Sequence, residues 1–130
     1  MSAPGISFFI EGTPIPQGSK TATRRGVMFE ANKKTKPWRE HVTRESSRFA
    51  GAFDKATAVH VDYLFIFEKP KSVKRKHMSV KPDVDKLMRA INDSLTKAGV
   101  WGDDSRVTSG SFEKQYGYPA GVWLTIKEKL

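Results

Sequence analysis

Cysteine is absent from the 130 residues, which excludes disulfides, thiolate zinc sites and cysteine nucleophiles together and fits a cytoplasmic address. Long apolar runs are missing too. A membrane span needs about 20 consecutive apolar residues, whereas the apolar start ISFFI is interrupted by Glu11, Pro14 and Pro16, so the chain reads as soluble, unexported and without a membrane partner. The histidines, at 41, 60 and 77, lack HExxH or other zinc spacing. A nucleotide-binding loop is also lacking. In GTPIPQGSKT, 12–21, five residues separate the glycines and Ser19 precedes Lys20, where the Walker pattern needs four and an immediate lysine, so no nucleotide cofactor is expected. Asp83 and Asp85 begin like a calcium loop, but Leu87 and Met88 stand where a ligand and a glycine are required.

Negative charge is scarce as well: 14 acidic against 23 basic residues give a net +9 and a pI near 9.9. Such a balance favours a polyanionic partner, nucleic acid first, because each neutralised phosphate releases condensed counterions. What acid there is gathers in one place. Residues 83–104 hold five aspartates and three basic residues, leaving twenty basic against nine acidic elsewhere.

Periodicity gives the elements. GISFFIE, 5–11, alternates like a strand with Ile6, Phe8 and Ile10 on one face, and ATAVHVDYLFIFE, 56–68, is a second strand that turns apolar on both faces at Leu64 and Ile66. Between them lie a basic loop or irregular hairpin over 20–36 and a helix over 38–49 that starts after Pro37. Val84, Leu87, Met88, Ile91, Leu95 and Ala98 form one stripe of a helix over 83–98, capped by Asp83 and closed by Gly99. Residues from 107 onward read as two antiparallel strands joined near Gly117–Gly121. The fold expected is α+β, a single domain with an antiparallel or mixed sheet of about four strands packed on the long helix and the second one.

Two segments suit a phosphate backbone. Lys20, Arg24 and Arg25 lie in the first basic loop, and Lys71, Lys74, Arg75 and Lys76 in KPKSVKRKHMSVK, 69–81, which leads straight to the aspartates; Lys86 follows them. Helix capping and the macrodipole account for Asp83 and Asp85 without any function, at about 0.5 to 2 kcal/mol. They do not account for Asp103 and Asp104, which follow the helix C-terminus, where the dipole is negative. A divalent cation resolves the conflict between a carboxylate cluster and a phosphate partner, since Mg²⁺ held by two or three carboxylates accepts phosphoryl oxygens and activates water.

The stretch PDVDKLMRAINDSLTKAGVWGDDSRV resembles the core motif of the RusA family of Holliday junction resolvases, which runs D-x-D-N-L-x-K, then D-A-L, then G, an aromatic and D-D-x-x-V. The resemblance implies a Mg²⁺-dependent homodimeric endonuclease, with Mn²⁺ as a substitute metal, that cuts four-way or other branched DNA in recombination, repair or phage DNA processing. Matching positions give metal binding to Asp83, Asp85 and Asp104, with Asp103 beside them. Two positions depart from the pattern: Lys86 stands for the Asn and Arg89 for the catalytic Lys. Arginine stays charged and grips phosphate bidentately but cannot serve as a base, so Arg89 is expected to stabilise the transition state electrostatically. A simple i,i+4 bridge from Arg89 to Asp85 or Asp93 is the structural alternative. The competing functions are a non-catalytic basic DNA-binding module and a nuclease specific for flaps or forks.

Length constrains the site. A helix over 83–98 is about 24 Å long, and the six residues beyond it reach at most about 20 Å back. Asp104 is therefore expected to complete the Asp83 and Asp85 site of a second copy across a two-fold axis.

Overall fold

The computed structural model describes residues 5–18, 20–22, 28–30 and 33–130. Four strands form one mixed sheet: β1 (Gly5–Glu11), β4 (Val59–Phe67), β5 (Val107–Tyr116) and β6 (Gly121–Glu128), in the order β1-β6-β4-β5. β6 runs antiparallel to both β1 and β4, while β5 lies parallel to β4. A small hairpin of β2 (Lys20–Ala22) and β3 (Met28–Glu30) stands within the basic loop. Two helices, α1 (Thr35–Ser46) and α2 (Val84–Lys97), complete the fold, and they pack on each other.

One sheet face carries the core. Phe8 and Ile10 of β1, Val59, Val61, Tyr63 and Phe65 of β4, and Val122, Leu124 and Ile126 of β6 alternate onto it and are buried with Trp38 and Val42 of α1. From α2, Leu87, Ile91 and Leu95 are fully buried, each worth about 1.5 to 3 kcal/mol. Ala90 and Ser94 share that face, and Val84, Met88 and Ala98 border it.

Three boundaries and one pairing differ from expectation. α1 begins at Thr35, so Pro37 sits inside the first turn, where its missing N–H costs nothing; a 3₁₀ turn, Ser47–Phe49, finishes the expected span. β4 is shorter than its apolar run, starting at Val59. The last two strands are antiparallel but do not form a hairpin, because β4 inserts between them. β4 is the strand that turns apolar on both faces, with Ile66 of its outer face also buried, and it takes the central position. β5, with Thr108, Ser109, Ser111 and Glu113, takes the solvated edge. No helix among the described residues is long and apolar enough to cross a membrane.

Candidate active site

The approach to α2 is fixed before the helix begins. The Lys114 ammonium, projecting from β5, donates to the carbonyls of Val80 and Pro82, each at 2.8 Å. From the other side, the Gln17 N–H reaches the Lys86 carbonyl at 2.9 Å. Asp83 then takes extended backbone angles (φ −68°, ψ 137°), and its carbonyl accepts the Leu87 N–H at 3.2 Å, which makes it the N-cap residue. The side-chain cap expected from the sequence is not made. Its carboxylate stays exposed, with Lys86 Nζ at 3.8 Å, a screened pair worth at most about 1 kcal/mol. Asp85 and Arg89 are also exposed, and neither makes a hydrogen bond or ion pair among the described residues. The i,i+4 bridges open to Arg89 do not form; Asp93 faces Arg39 of α1 instead, at 3.8 Å.

The other end of α2 turns the chain back on itself. Gly99 has a positive φ of 79°; its N–H reaches the Thr96 carbonyl at 3.0 Å and the Val100 N–H reaches Leu95 at 3.1 Å, the paired bonds that close a helix around a left-handed glycine. Trp101 follows into the core, only 2% exposed, and its indole Nε1–H donates to the Thr96 hydroxyl at 2.7 Å. Gly102 packs against the Lys55 backbone so closely that a Cβ would collide with the Lys55 carbonyl, to which Arg106 Nε also donates at 2.6 Å. The chain so returned places Asp104 beside α2, where Thr96 Oγ1 donates to its carboxylate. Asp103 caps the 3₁₀ turn Asp104–Arg106 by accepting the Ser105 N–H at 2.9 Å.

A third aspartate joins this end. Asp93 hydrogen-bonds Asp104, and its carboxyl is held above the ordinary 3.8, first by burial, then by the hydrogen bond and charge of Asp104; Arg39 and Arg89 oppose the shift. Two carboxyls in contact cannot both ionise cheaply. Tyr63, whose hydroxyl donates to Asn92 Oδ1 at 2.6 Å, is raised to about 12 by burial and further by the charge of Asp104. Asp103 lies below the ordinary range because of its bonds to Ser105.

The predicted carboxylates thus occupy opposite ends of one helix. From Asp85 to Thr96 is about 16 Å along the axis. Among the described residues no group of three or more His, Cys, Asp or Glu stands close enough to hold a metal ion. The donor set, hard carboxylate oxygens with no sulfur or imidazole, suits Mg²⁺ in its chemistry, while one chain presents it in two halves: Asp83 with Asp85, and Asp104 with Asp93.

The family model described as endodeoxyribonuclease RusA matches residues 11–127. The chain belongs to the RusA family. No curated protein matches it. Of the basic residues expected to grip DNA in this RusA-family chain, Lys71, Lys74, Arg75 and Lys76 are exposed on the irregular segment before α2, and the Arg75 guanidinium lies 5.8 Å from the Tyr116 ring centre. Lys86 is half-buried beside Asp83. Lys20 belongs to β2, whereas Arg24 and Arg25 lie outside the described residues.

Sequence reasoning missed Asp93, Thr96 and Lys114 as members of the site. Asp93 and Thr96 were readable in principle: they lie on the last turns of a helix whose glycine stop folds the following residues back against those turns. Lys114 had no local signal, since its partners are 32 and 34 positions away.

Proposed function

We propose that this protein is a Mg²⁺-dependent endonuclease that acts as a homodimer in the cytoplasm and nicks four-way or similarly branched DNA during recombination or repair. Asp83 and Asp85 of one chain and Asp104 of the other would hold the cation. The observation that carries this reading is the division of the carboxylates. Asp83 does not spend its charge on capping, and Asp104 is anchored by Thr96 at the far end of the same helix, so two antiparallel copies of α2 would bring unlike halves together twice. When bound, the cation supplies an acidified water and screens charge on the phosphate.

The remaining work falls to side chains of this chain. Arg89, exposed one helical turn beyond Asp85, offers a permanent positive charge to the non-bridging oxygens and takes no proton. Asp93 holds Asp104 against α2. Lys71, Lys74, Arg75 and Lys76 grip the backbone without reading bases, which makes binding steeply salt-dependent.

The deciding assay compares nicking of synthetic four-way, three-way, flap and linear duplexes with and without Mg²⁺, with Asp83→Asn as control. Metal-dependent nicking of the four-way junction that Asp83→Asn loses supports the proposal. Preference for flaps or forks would move the substrate, and binding without metal-dependent nicking of any substrate would leave a DNA-binding module.

A further inference from the structure

Immediately beside Asp83 lies an open pocket of about 490 Å³, within the size range of small-ligand sites. Its walls are largely apolar: Pro14, Ile15, Phe67 and Met78 line it, and the charged residues among its lining are Lys81, Asp83 and Lys86. The walls are set by the fold. Phe67 and Met78 are each 7% exposed. The irregular segment after β1 that carries Pro14 and Ile15 is fastened to α1 by the Thr35 hydroxyl on the Pro16 carbonyl at 2.9 Å, and to α2 through Gln17. Lys114 fastens the opposite side at Val80 and Pro82.

The chemistry of this lining selects its occupant. An inorganic anion would use the two lysines and waste the apolar walls, and an apolar molecule would do the reverse. A nucleotide within a DNA strand uses both, since its base is flat and poorly hydrated on its faces while its linkage is anionic. The segment that leads into the cavity, with Lys71, Lys74, Arg75 and Lys76 exposed, is basic, as a strand of phosphates requires. Position adds to this, because any nucleotide seated there touches Asp83 and therefore adjoins the bond to be cut.

We propose that the cavity receives an unstacked base from the nucleotide flanking the scissile phosphate, with Lys81 and Lys86 on its phosphates. The inference rests on the nuclease reading above. Unstacking costs least where a base's pairing or stacking is already disturbed, as it is beside a branch, so a pocket that must be filled before the phosphate reaches Asp83 favours cutting at branches over cutting in uniform duplex.

The test uses Asp104→Asn protein, whose substitution changes no residue lining the cavity, bound to a four-way junction carrying 2-aminopurine at successive positions around the cut mapped with wild-type protein. One position flanking the cut should brighten several-fold on binding. Ile15→Trp and Thr13→Trp, introduced singly into that protein, should abolish the brightening, and in otherwise wild-type protein should lower nicking by about 5- to 150-fold, the range expected for one lost base-stacking contact. Thr13 is an exposed lining residue, so its variant keeps the test valid if Ile15→Trp unfolds. Nicking by wild-type protein with no brightening at any flanking position, or brightening that survives Thr13→Trp, would overturn the subsite alone. Failure of the wild-type protein to nick any branched DNA would overturn the nuclease reading and the subsite with it.

Discussion

Thr96 donates its hydroxyl proton to Asp104. The same oxygen accepts the indole proton of Trp101 at 2.7 Å, so one side chain on the last turn of α2 fixes both the returning loop and the carboxylate it carries. Replacing Thr96 by Val keeps the shape and removes both bonds. The buried Trp101 N–H then loses its partner, at about 1 to 3 kcal/mol. Thermal unfolding should register that loss, and nicking should fall further than DNA binding because Asp104 is freed. Thr96→Ser should restore most of both.

Lys114 positions Asp83 at a distance. Its two bonds to Val80 and Pro82 are charge-assisted, a class worth about 1.5 to 3 kcal/mol each where water is excluded and less at a partly exposed site such as this. Lys114→Met should lower nicking at saturating DNA more than it raises the DNA concentration needed, a split that identifies a residue acting through Asp83 and not on the phosphate. A shallower salt dependence of DNA binding in Lys114→Met than in wild type would mean that Lys114 contacts a phosphate, and would count against the positioning role.

Arg89 carries charge and no proton. Arg89→Gln should reduce nicking by about 10²- to 10³-fold, the usual effect of removing one donor aimed at transition-state charge, while Arg89→Lys should retain more activity than Arg89→Gln. Stability should hardly change in either, because Arg89 is exposed and makes no ion pair among the described residues.

Tyr63 sets an alkaline limit. Its folded value is raised from 10.0 to about 12, so the stability it contributes is complete below pH 10 and is lost as the pH rises from there through the folded value. The loss should approach about 2 to 3 kcal/mol by pH 12. Chemical unfolding of Tyr63→Phe across that range should show a flatter decline than wild type.

Local signals made much of this legible. The stripe from Val84 to Ala98 with Gly99 behind it specifies α2 without help from the rest of the chain, since periodicity and a left-handed stop are written in neighbouring residues. The alternation of Ile6, Phe8 and Ile10 does the same for β1. The last two strands are antiparallel as expected, but their sheet neighbours were not legible, for the opposite reason. Gly117 to Gly121 encode a reversal of direction, but which strand a chain pairs with after reversing depends on β4, more than 40 residues earlier in sequence, and only its two-sided apolar end hinted at a central place. In the candidate site, the placement of Asp83 and Asp104 at opposite ends of α2 was legible from the length of the helix between them. Asp93 was legible only in part, because an aspartate on the last turns of a helix reads as an exposed salt-bridge partner until the chain beyond Gly99 is seen to fold back onto it.

The arrangement of carboxylates across two chains is most directly tested by mixed dimers of Asp83→Asn and Asp104→Asn protein. Each variant alone should nick nothing. Equal amounts, unfolded and refolded together, should recover about a quarter of the wild-type sites, because half the dimers are mixed and each of those rebuilds one of its two sites. A mixture as inactive as its parents, in samples shown to contain mixed dimers, would mean that each chain assembles its own site and would contradict the account.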